Sequence, residues 1–279
     1  MKETQDQTLQ VLVCEDSQEG ILTGIYEAFA RGYMQGYQKG NPRQQVRLTT
    51  DREQELCLFS EYHNIPAEEE KACKVAETVR KLGGGEVFYR LCLAMDSCEE
   101  GKAQAVFKAV LLMLQDKAHA ARVLDRLQDQ DMQRLFTIWR NVQNEVCRWK
   151  EFIRFQELDN GMLYALFSPK NDVVVYTMPH FADRFPQENF VIYDEGRKLL
   201  GVHPAGKDWY LVRDFKPEPG EICFSAKEEI YRDLFRCFFQ TIAIQERKNP
   251  GLQRNLMPLW TRKNMPELQP KGQDLSEKQ

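Results

Sequence analysis

The sequence has no long hydrophobic run. Its most apolar stretch, residues 103–114, is interrupted by Gln104 and Lys108 and is too short to cross a bilayer. Residues 1–10 are polar and lack the basic-then-apolar order of a secretory signal. We therefore expect no membrane segment and a cytoplasmic location.

Short metal-binding and catalytic motifs are also missing. No Cys-x-x-Cys pair and no His-Glu-x-x-His helix occurs, although tight ligand pairs are typical of zinc and iron–sulfur sites. No Gly-x-Ser-x-Gly or Gly-x-Gly-x-x-Gly turn occurs, which disfavours the common hydrolases, kinases and dehydrogenases. We expect no metal and no cofactor, and we expect the cysteines to be reduced structural thiols. The alternative is a metal site assembled from cysteines that are distant in the sequence. The eight cysteines are Cys14, Cys57, Cys73, Cys92, Cys98, Cys147, Cys223 and Cys237.

The chain does not carry a bulk positive charge. It has 38 Lys and Arg against 42 Asp and Glu, a net charge of −4, which excludes a protein that coats nucleic acid by charge alone. Residues 1–100 carry 11 basic and 18 acidic residues, residues 101–150 carry 9 and 5, and residues 232–263 carry 7 and 2. The two basic segments contain tryptophans, a combination that suits nucleic-acid binding, although ordinary surface charge explains it equally well. Their candidate binding cations are Arg140, Arg148, Arg254 and Lys263.

The first half of the sequence predicts a short strand followed mainly by helices. Residues 10–14 are apolar and predict a strand, Ser17 can cap a helix, and apolar residues from Ile21 follow at helical spacing. Helical patterns fill residues 66–150, with a break at the triple glycine 83–85. We predict a strand–helix segment over residues 1–64 and a main domain over residues 65–268.

The second half predicts an antiparallel sheet. Asn160-Gly161 is a hairpin turn, because this dipeptide accepts the positive φ angles of a tight turn. A helix over residues 225–247, begun by the capping box at Ser225, would cover one face of that sheet. The fold class is therefore α+β: a helical N-terminal half with a short N-terminal strand, then an antiparallel β meander over residues 151–214 packed by a long C-terminal helix, and a disordered tail over residues 269–279. The predicted strands are 152–158, 162–167, 173–178, 190–193, 198–202 and 209–212, with a short helix over residues 180–185.

The densest polar cluster in the sequence combines His180, Asp183, Arg184, Asp194 and Arg197. A carboxylate that orients an arginine can lock a helix to a sheet, and such an arginine can also grip a phosphate with two hydrogen bonds. Three interpretations remain open: an ion-paired structural corner, a phosphate or nucleic-acid contact, and a catalytic site that uses His180 and Asp183.

Four motifs occur in order along the second half of the chain: Phe152-Ile-Arg-Phe155, Gly161-Met-Leu-Tyr-Ala165, His180-Phe-Ala-Asp-Arg-Phe-Pro186 and Met265-Pro-Glu267. This ordered series resembles a known bacterial family of DNA metabolism or DNA repair proteins. The similarity runs over nearly the whole chain and includes residues 11–16 and 20–26. Members of that family are encoded beside a radical-SAM DNA-modification protein, and in some proteins a similar domain is fused to a uracil-DNA glycosylase.

The resemblance implies roles for two arginine–phenylalanine pairs, which begin at Arg154 and Arg184. The chain departs from the family at Arg262, where relatives have tryptophan, and at Cys147, where relatives often have histidine. A missing histidine favours a binding or scaffold role over catalysis. The fold and any activity carried over from the family are expectations.

Together these observations predict a DNA-repair accessory protein that acts with a radical-SAM partner. It would bind nucleic acid or that partner, and a uracil-DNA glycosylase is a further candidate partner. The first alternative is an enzyme acting on a DNA base or phosphodiester with His180, Asp183 and Arg184 at its site. The second is a protein-binding module without nucleic-acid contact. The predicted binding residues are Arg154, Arg184, Arg197, Arg140, Arg148, Arg254 and Lys263.

Overall fold

The computed structural model describes residues 9–31, 46–51, 58–218 and 222–268. The protein is a mixed α/β protein whose contacts divide it into two units, Met1–Gln143 and Asn144–Gln279. The boundary predicted from the sequence falls instead after residue 64. The predicted disordered tail, residues 269–279, and Cys57 lie outside the described residues.

Unit 1 contains a three-stranded parallel sheet. Its strands are β1 (Leu9–Cys14), β2 (Val46–Thr49) and β3 (Ser60–Ile65), in the order β2-β1-β3. Helix α1 (Gln18–Ala30) follows β1, and the Ser17 hydroxyl accepts a hydrogen bond of 2.9 Å from the amide of Gly20. The predicted order of strand, cap and helix is thus confirmed.

Strand β3 is not among the elements predicted from the sequence. Only Ile65 of this strand is buried, because β3 lies at the edge of the sheet and exposes much of its polar surface. A strand without alternating apolar residues has no pattern to predict it. Because β3 pairs with β1, a boundary after residue 64 would separate Ile65 from the rest of its strand.

The remaining helices of the first half match the prediction closely. They are α2 (Glu69–Met95), α3 (Lys102–Gln115), a 3-10 helix (Lys117–Asp125) and α4 (Gln130–Phe152). Gly84 interrupts α2 with φ 84° and ψ 174°, at the predicted break. Within the described residues, none of the helices has both the length and the hydropathy required to cross a membrane.

Two cysteines of unit 1 lie in its apolar core. Cys14 is 1% exposed and Cys92 is 8% exposed, and burial raises the pKa of each thiol to about 12. We expect iodoacetamide at pH 8 to modify the exposed Cys73 at least about tenfold faster than either buried thiol, because only the accessible thiolate reacts. Mass spectrometry of the native and urea-unfolded protein measures this ratio, and equal rates in the native protein would contradict the packing.

Unit 2 contains a five-stranded mixed sheet, not an antiparallel meander. Its strands run in the order β4 (Gln156–Glu157), β5 (Leu163–Phe167), β6 (Phe190–Asp194), β7 (Leu199–His203) and β8 (Tyr210–Val212). The pair β5–β6 is parallel, and the other neighbouring strands are antiparallel. Parallel neighbours require a crossover connection, which helix α5 (Val174–Arg184) provides.

Helix α5 replaces the predicted strand over residues 173–178 and extends the predicted helix at its N-terminal side. The β-branched Val174 and the internal Pro179 disfavour a helix locally, but the tertiary packing overrides them. Val174, Met178 and Phe181 are buried at spacings of four and three residues, which is a helical pattern. Gly201 permits this packing, since a Cβ atom there would lie 2.5 Å from the Met178 sulfur.

The C-terminal helix is shorter than predicted and does not bury its apolar side. Helix α6 (Ala226–Thr241) ends six residues before the predicted end at residue 247. The face of the sheet that it was expected to cover is instead contacted by Phe215, Ile222 and Phe224, which pack against Tyr164 and its neighbours. The chain then forms a 3-10 helix (Gln245–Arg247), α7 (Pro250–Leu256) and two further 3-10 helices, Leu259–Asn264 and Pro266–Leu268.

Candidate functional site

The predicted polar corner is divided between the two ends of strand β6. His180, Asp183 and Arg184 lie near the end of α5, which leads into the N-terminal end of β6. Asp194 is the last residue of β6, and Arg197 follows it. The first three residues are exposed and form what we call the α5 surface. The two groups lie at opposite ends of β6 because the chain enters this strand shortly after Arg184 and leaves it at Asp194.

The α5 surface has no acid–base geometry. Within the described part of the chain, no hydrogen bond joins His180 to Asp183, and no ion pair joins Asp183 to Arg184. The His180 ring contacts Phe181 edge to face at 5.0 Å, and the Arg184 guanidinium lies 5.7 Å from the centre of the Phe185 ring. The surface therefore presents a cation supported by an aromatic ring and not a coupled catalytic pair.

The ion-paired corner is formed by Arg197. Its Nη1 atom lies 3.1 Å from Oδ2 of the fully buried Asp194, and the guanidinium also donates to the carbonyl oxygens of Pro169 and Lys170. Burial raises the pKa of Asp194, and the opposing effect of Arg197 only partly offsets it. Arg197 thus fixes the end of β6 to the loop after β5.

Arg154 also makes a structural ion pair. Its Nε and Nη2 atoms lie 3.1 Å and 3.0 Å from Oε1 of Glu267, whose side chain is 3% exposed. The neighbouring Phe155 contacts Phe181 and Phe185 at ring-centre distances of 5.1 Å and 5.8 Å. Three of the motifs that carry the family resemblance therefore meet in contacts that stabilise unit 2.

A polar group lies at the carboxyl ends of β5 and β6, the position where open α/β sheets bind ligands. The Ser168 hydroxyl donates a hydrogen bond of 2.7 Å to Glu195, and Lys263 forms an ion pair with the same carboxylate. Burial acts to raise the pKa of Glu195, but the bonds from Lys263 and Ser168 lower it overall. We call this group the β5–β6 edge. It comprises Ser168, Lys170, Glu195, Arg197 and Lys263.

A buried glutamate that the sequence analysis missed supports this edge. Glu145 of α4 is 3% exposed and accepts hydrogen bonds from the amides of Lys170 and Asn171, at 2.8 Å and 3.2 Å, and from the Asn171 side chain. The indole of Trp149 donates a further bond of 3.1 Å. A glutamate four residues before a buried tryptophan was the available signal. Cys147, the departure from the family pattern, is exposed.

The remaining predicted cations belong to different units. Arg140 belongs to unit 1 and is exposed, with its guanidinium 5.5 Å from the Phe136 ring. Arg148 is half-buried on α4 in unit 2, and Arg254 is exposed on α7. The candidate cations of the two basic segments therefore belong to both units.

Unit 1 offers a separate apolar cavity of about 370 Å³, lined by α1, α2 and α3. Its wall includes Ile25, Tyr26, Phe29, Val75 and Val110. Among the described residues, no group of three or more His, Cys, Asp or Glu side chains is placed to hold a metal ion.

The fold and these polar groups define a mixed α/β protein with a solvent-exposed polar edge and an exposed crossover helix. Residues 100–267 match the family model of DUF4130, a domain of unknown function, and the chain belongs to this family. The matched range includes the motifs from Phe152 to Glu267 and leaves out residues 11–26. A comparison with curated proteins found no match.

Proposed function

We propose that the protein is a DNA-repair accessory factor that contacts the phosphate backbone of DNA through the α5 surface and acts with a radical-SAM partner. The proposal of DNA binding depends on the exposure and the contacts of the Arg184 side chain. This guanidinium is exposed, lies near the Phe185 ring, and has no carboxylate partner in the described ranges. An arginine in this state can donate two hydrogen bonds to one phosphate.

The other predicted cations contribute less in this proposal. Arg154, Arg197 and Lys263 each form an ion pair with a carboxylate, which offsets their attraction for a phosphate. Arg254 has no ion pair within the described residues and could add a contact elsewhere on the DNA. The lack of a His180–Asp183 bond supports a binding role over the alternative of an enzyme acting on a DNA base or phosphodiester.

We expect Arg184→Ala to weaken binding of a fluorescent DNA duplex by about 3–10-fold and to lower the slope of log affinity against log salt by about 1. The DNA affinity of Arg184→Lys should lie between those of Arg184→Ala and the parent, because lysine keeps the charge but cannot donate two parallel hydrogen bonds to one phosphate. Because Arg184 is exposed, the free energy of unfolding should change by less than about 0.5 kcal/mol. Titrations at two salt concentrations and thermal melts measure both effects.

The matched control is Arg213→Ala, which removes an exposed arginine just after the edge strand β8. This variant should bind DNA like the parent. Equal losses in both variants would mean that binding follows net charge and not the α5 surface. Failure of the parent to bind DNA at low salt would favour a protein-binding module, and turnover of uracil-containing or damaged DNA by the protein alone would favour an enzyme.

The partner is tested separately by a pull-down with the radical-SAM protein, with and without DNA. Retention of the partner in both conditions is the expected result. If the partner is retained only with DNA, the two proteins meet through the nucleic acid, and the proposed direct partnership is wrong.

A further inference from the structure

Helix α6 packs with its polar side inwards. Glu228 is 8% exposed, Arg232 is half-buried, and the side chain of Arg236 is 15% exposed. The opposite side carries a row of large apolar residues, which we call the α6 stripe, with exposures from 57% to 62%. An amphipathic helix on a globular protein normally buries its apolar side, so the α6 stripe needs another surface to cover it. The α6 stripe comprises Ile230, Leu234, Phe238 and Ile242.

Hydrogen bonds hold α6 in this orientation. The Glu228 carboxylate accepts a bond of 3.0 Å from the amide of Glu157 in β4, and the amide of Ser225 donates to the Glu157 carbonyl. Ser225 also caps the helix. The inner side of α6 contacts the 3-10 helix Pro266–Leu268. Rotating α6 to bury its apolar side would break the Glu228 bond, so the exposed stripe is a property of the packed helix.

We propose that the α6 stripe is a two-fold interface with a second copy of this chain. The residues recur every four positions and form one inclined ridge along the helix, so two such ridges that cross antiparallel meet at their centre, with Leu234 opposite Phe238 of the other copy. Such a surface is complementary to itself, as a two-fold interface requires. Tyr231 and Phe235, which are 57% and 40% exposed, would widen the contact.

The charges at the two ends of the stripe favour the antiparallel arrangement. Lys227 and Glu229 lie at its N-terminal end, and Glu246 and Arg247 follow its C-terminal end. All four are exposed, and none has an ion-pair partner in the part of the chain that the structure describes. An antiparallel pair brings the end that carries Lys227 and Glu229 towards the end that carries Glu246 and Arg247 of the other copy, so that opposite charges can pair. A parallel pair would bring each charge towards its own copy, which is unfavourable.

Sedimentation velocity of the full chain over a range of concentrations tests the interface. The parent should form dimers, and Leu234→Glu or Phe238→Glu should raise the dimer dissociation constant by about 100-fold, because each buries an unpaired charge. Circular dichroism should show that both variants remain folded, since the altered side chains are exposed in the single chain. The control is Leu127→Glu in unit 1, where the leucine is 45% exposed, and it should dimerise like the parent. A parent that stays monomeric, or dimers that tolerate both stripe variants, would overturn the proposal.

Two further measurements test the antiparallel orientation. Glu229→Arg and Arg247→Glu should each weaken the dimer, and the double variant should restore it. Cys237 is exposed near the middle of the stripe, so a short bis-maleimide should join two copies through this residue, and Cys237→Ser should prevent that crosslink. Failure of the double variant to restore dimerisation, or crosslinking that is unchanged in Cys237→Ser, would show that the helices do not meet in this way.

Discussion

Glu145→Ala is expected to lower the free energy of unfolding of unit 2 by about 3–5 kcal/mol. The carboxylate is buried and accepts bonds from the amides of Lys170 and Asn171, the Asn171 side chain and the Trp149 indole. Removing it leaves several buried donors without acceptors and also opens a cavity. Urea denaturation followed by tryptophan fluorescence measures the loss.

Two comparisons isolate the cause of this loss. Glu151→Ala alters an exposed glutamate on the same helix and should change the free energy by less than about 0.5 kcal/mol. The loss in Glu145→Gln should lie between those in Glu145→Ala and Glu151→Ala, because glutamine keeps the shape of the side chain and one acceptor oxygen. Hydrogen exchange at the amides of Lys170 and Asn171 should accelerate in Glu145→Ala. Unchanged exchange at these amides, together with a loss below about 1 kcal/mol, would contradict the role assigned to Glu145.

The parts of the fold that were predicted correctly depend on signals confined to a few neighbouring residues. Ser17 and Ser225 start helices because a side-chain oxygen reaches an amide three residues later. The Asn160-Gly161 turn follows from the φ of 81° that Gly161 accepts. Each of these features depends only on residues within about four positions of one another, so it can be predicted from the sequence alone.

The features that were missed depend on distant contacts. The edge strand β3 is recognisable only by its pairing with β1, and α5 is helical because Met178 packs close to Gly201. The predicted polar corner fails for a simpler reason. Strand β6 lies between Arg184 and Arg197 in the chain and holds them at its two opposite ends, so closeness in sequence did not mean closeness in space.

The candidate binding residues illustrate the same limit. A sequence does not specify which carboxylate an arginine pairs with, so Arg154, Arg184 and Arg197 are all predicted as binding residues from the sequence. The structure separates Arg154 and Arg197, which pair with the buried Glu267 and Asp194, from Arg184, which is exposed. The partner carboxylate decides whether an arginine stabilises the fold or remains available to a ligand. For Arg154 that carboxylate is over 100 residues away in the sequence, and for Arg197 it is three residues away.

Arg197→Ala should therefore act on stability, and its effect should depend on pH. At pH 7 we expect a loss of about 3–5 kcal/mol, because the variant leaves the charged Asp194 buried without its partner. Burial already raises the pKa of Asp194 above its ordinary value in the parent, and removing Arg197 should raise it further. When the pKa of a carboxyl is higher in the folded protein than in the unfolded chain, the free energy of unfolding falls as the pH rises. The fall begins near the unfolded pKa, about 3.9, and ends above the folded pKa.

The loss in Arg197→Ala should accordingly shrink towards about 1–2 kcal/mol as the pH falls to 4, because Asp194 is increasingly protonated and the missing bonds to the Pro169 and Lys170 carbonyls then account for most of the loss. Urea denaturation at pH 4, 5.5 and 7 measures this trend. The double variant Arg197→Ala with Asp194→Asn lacks the titrating carboxyl, so the additional pH dependence should disappear. A loss that is equal at all three pH values would show that Arg197 acts through its carbonyl contacts and not by holding the charge of Asp194, because the carbonyl bonds do not titrate in this range.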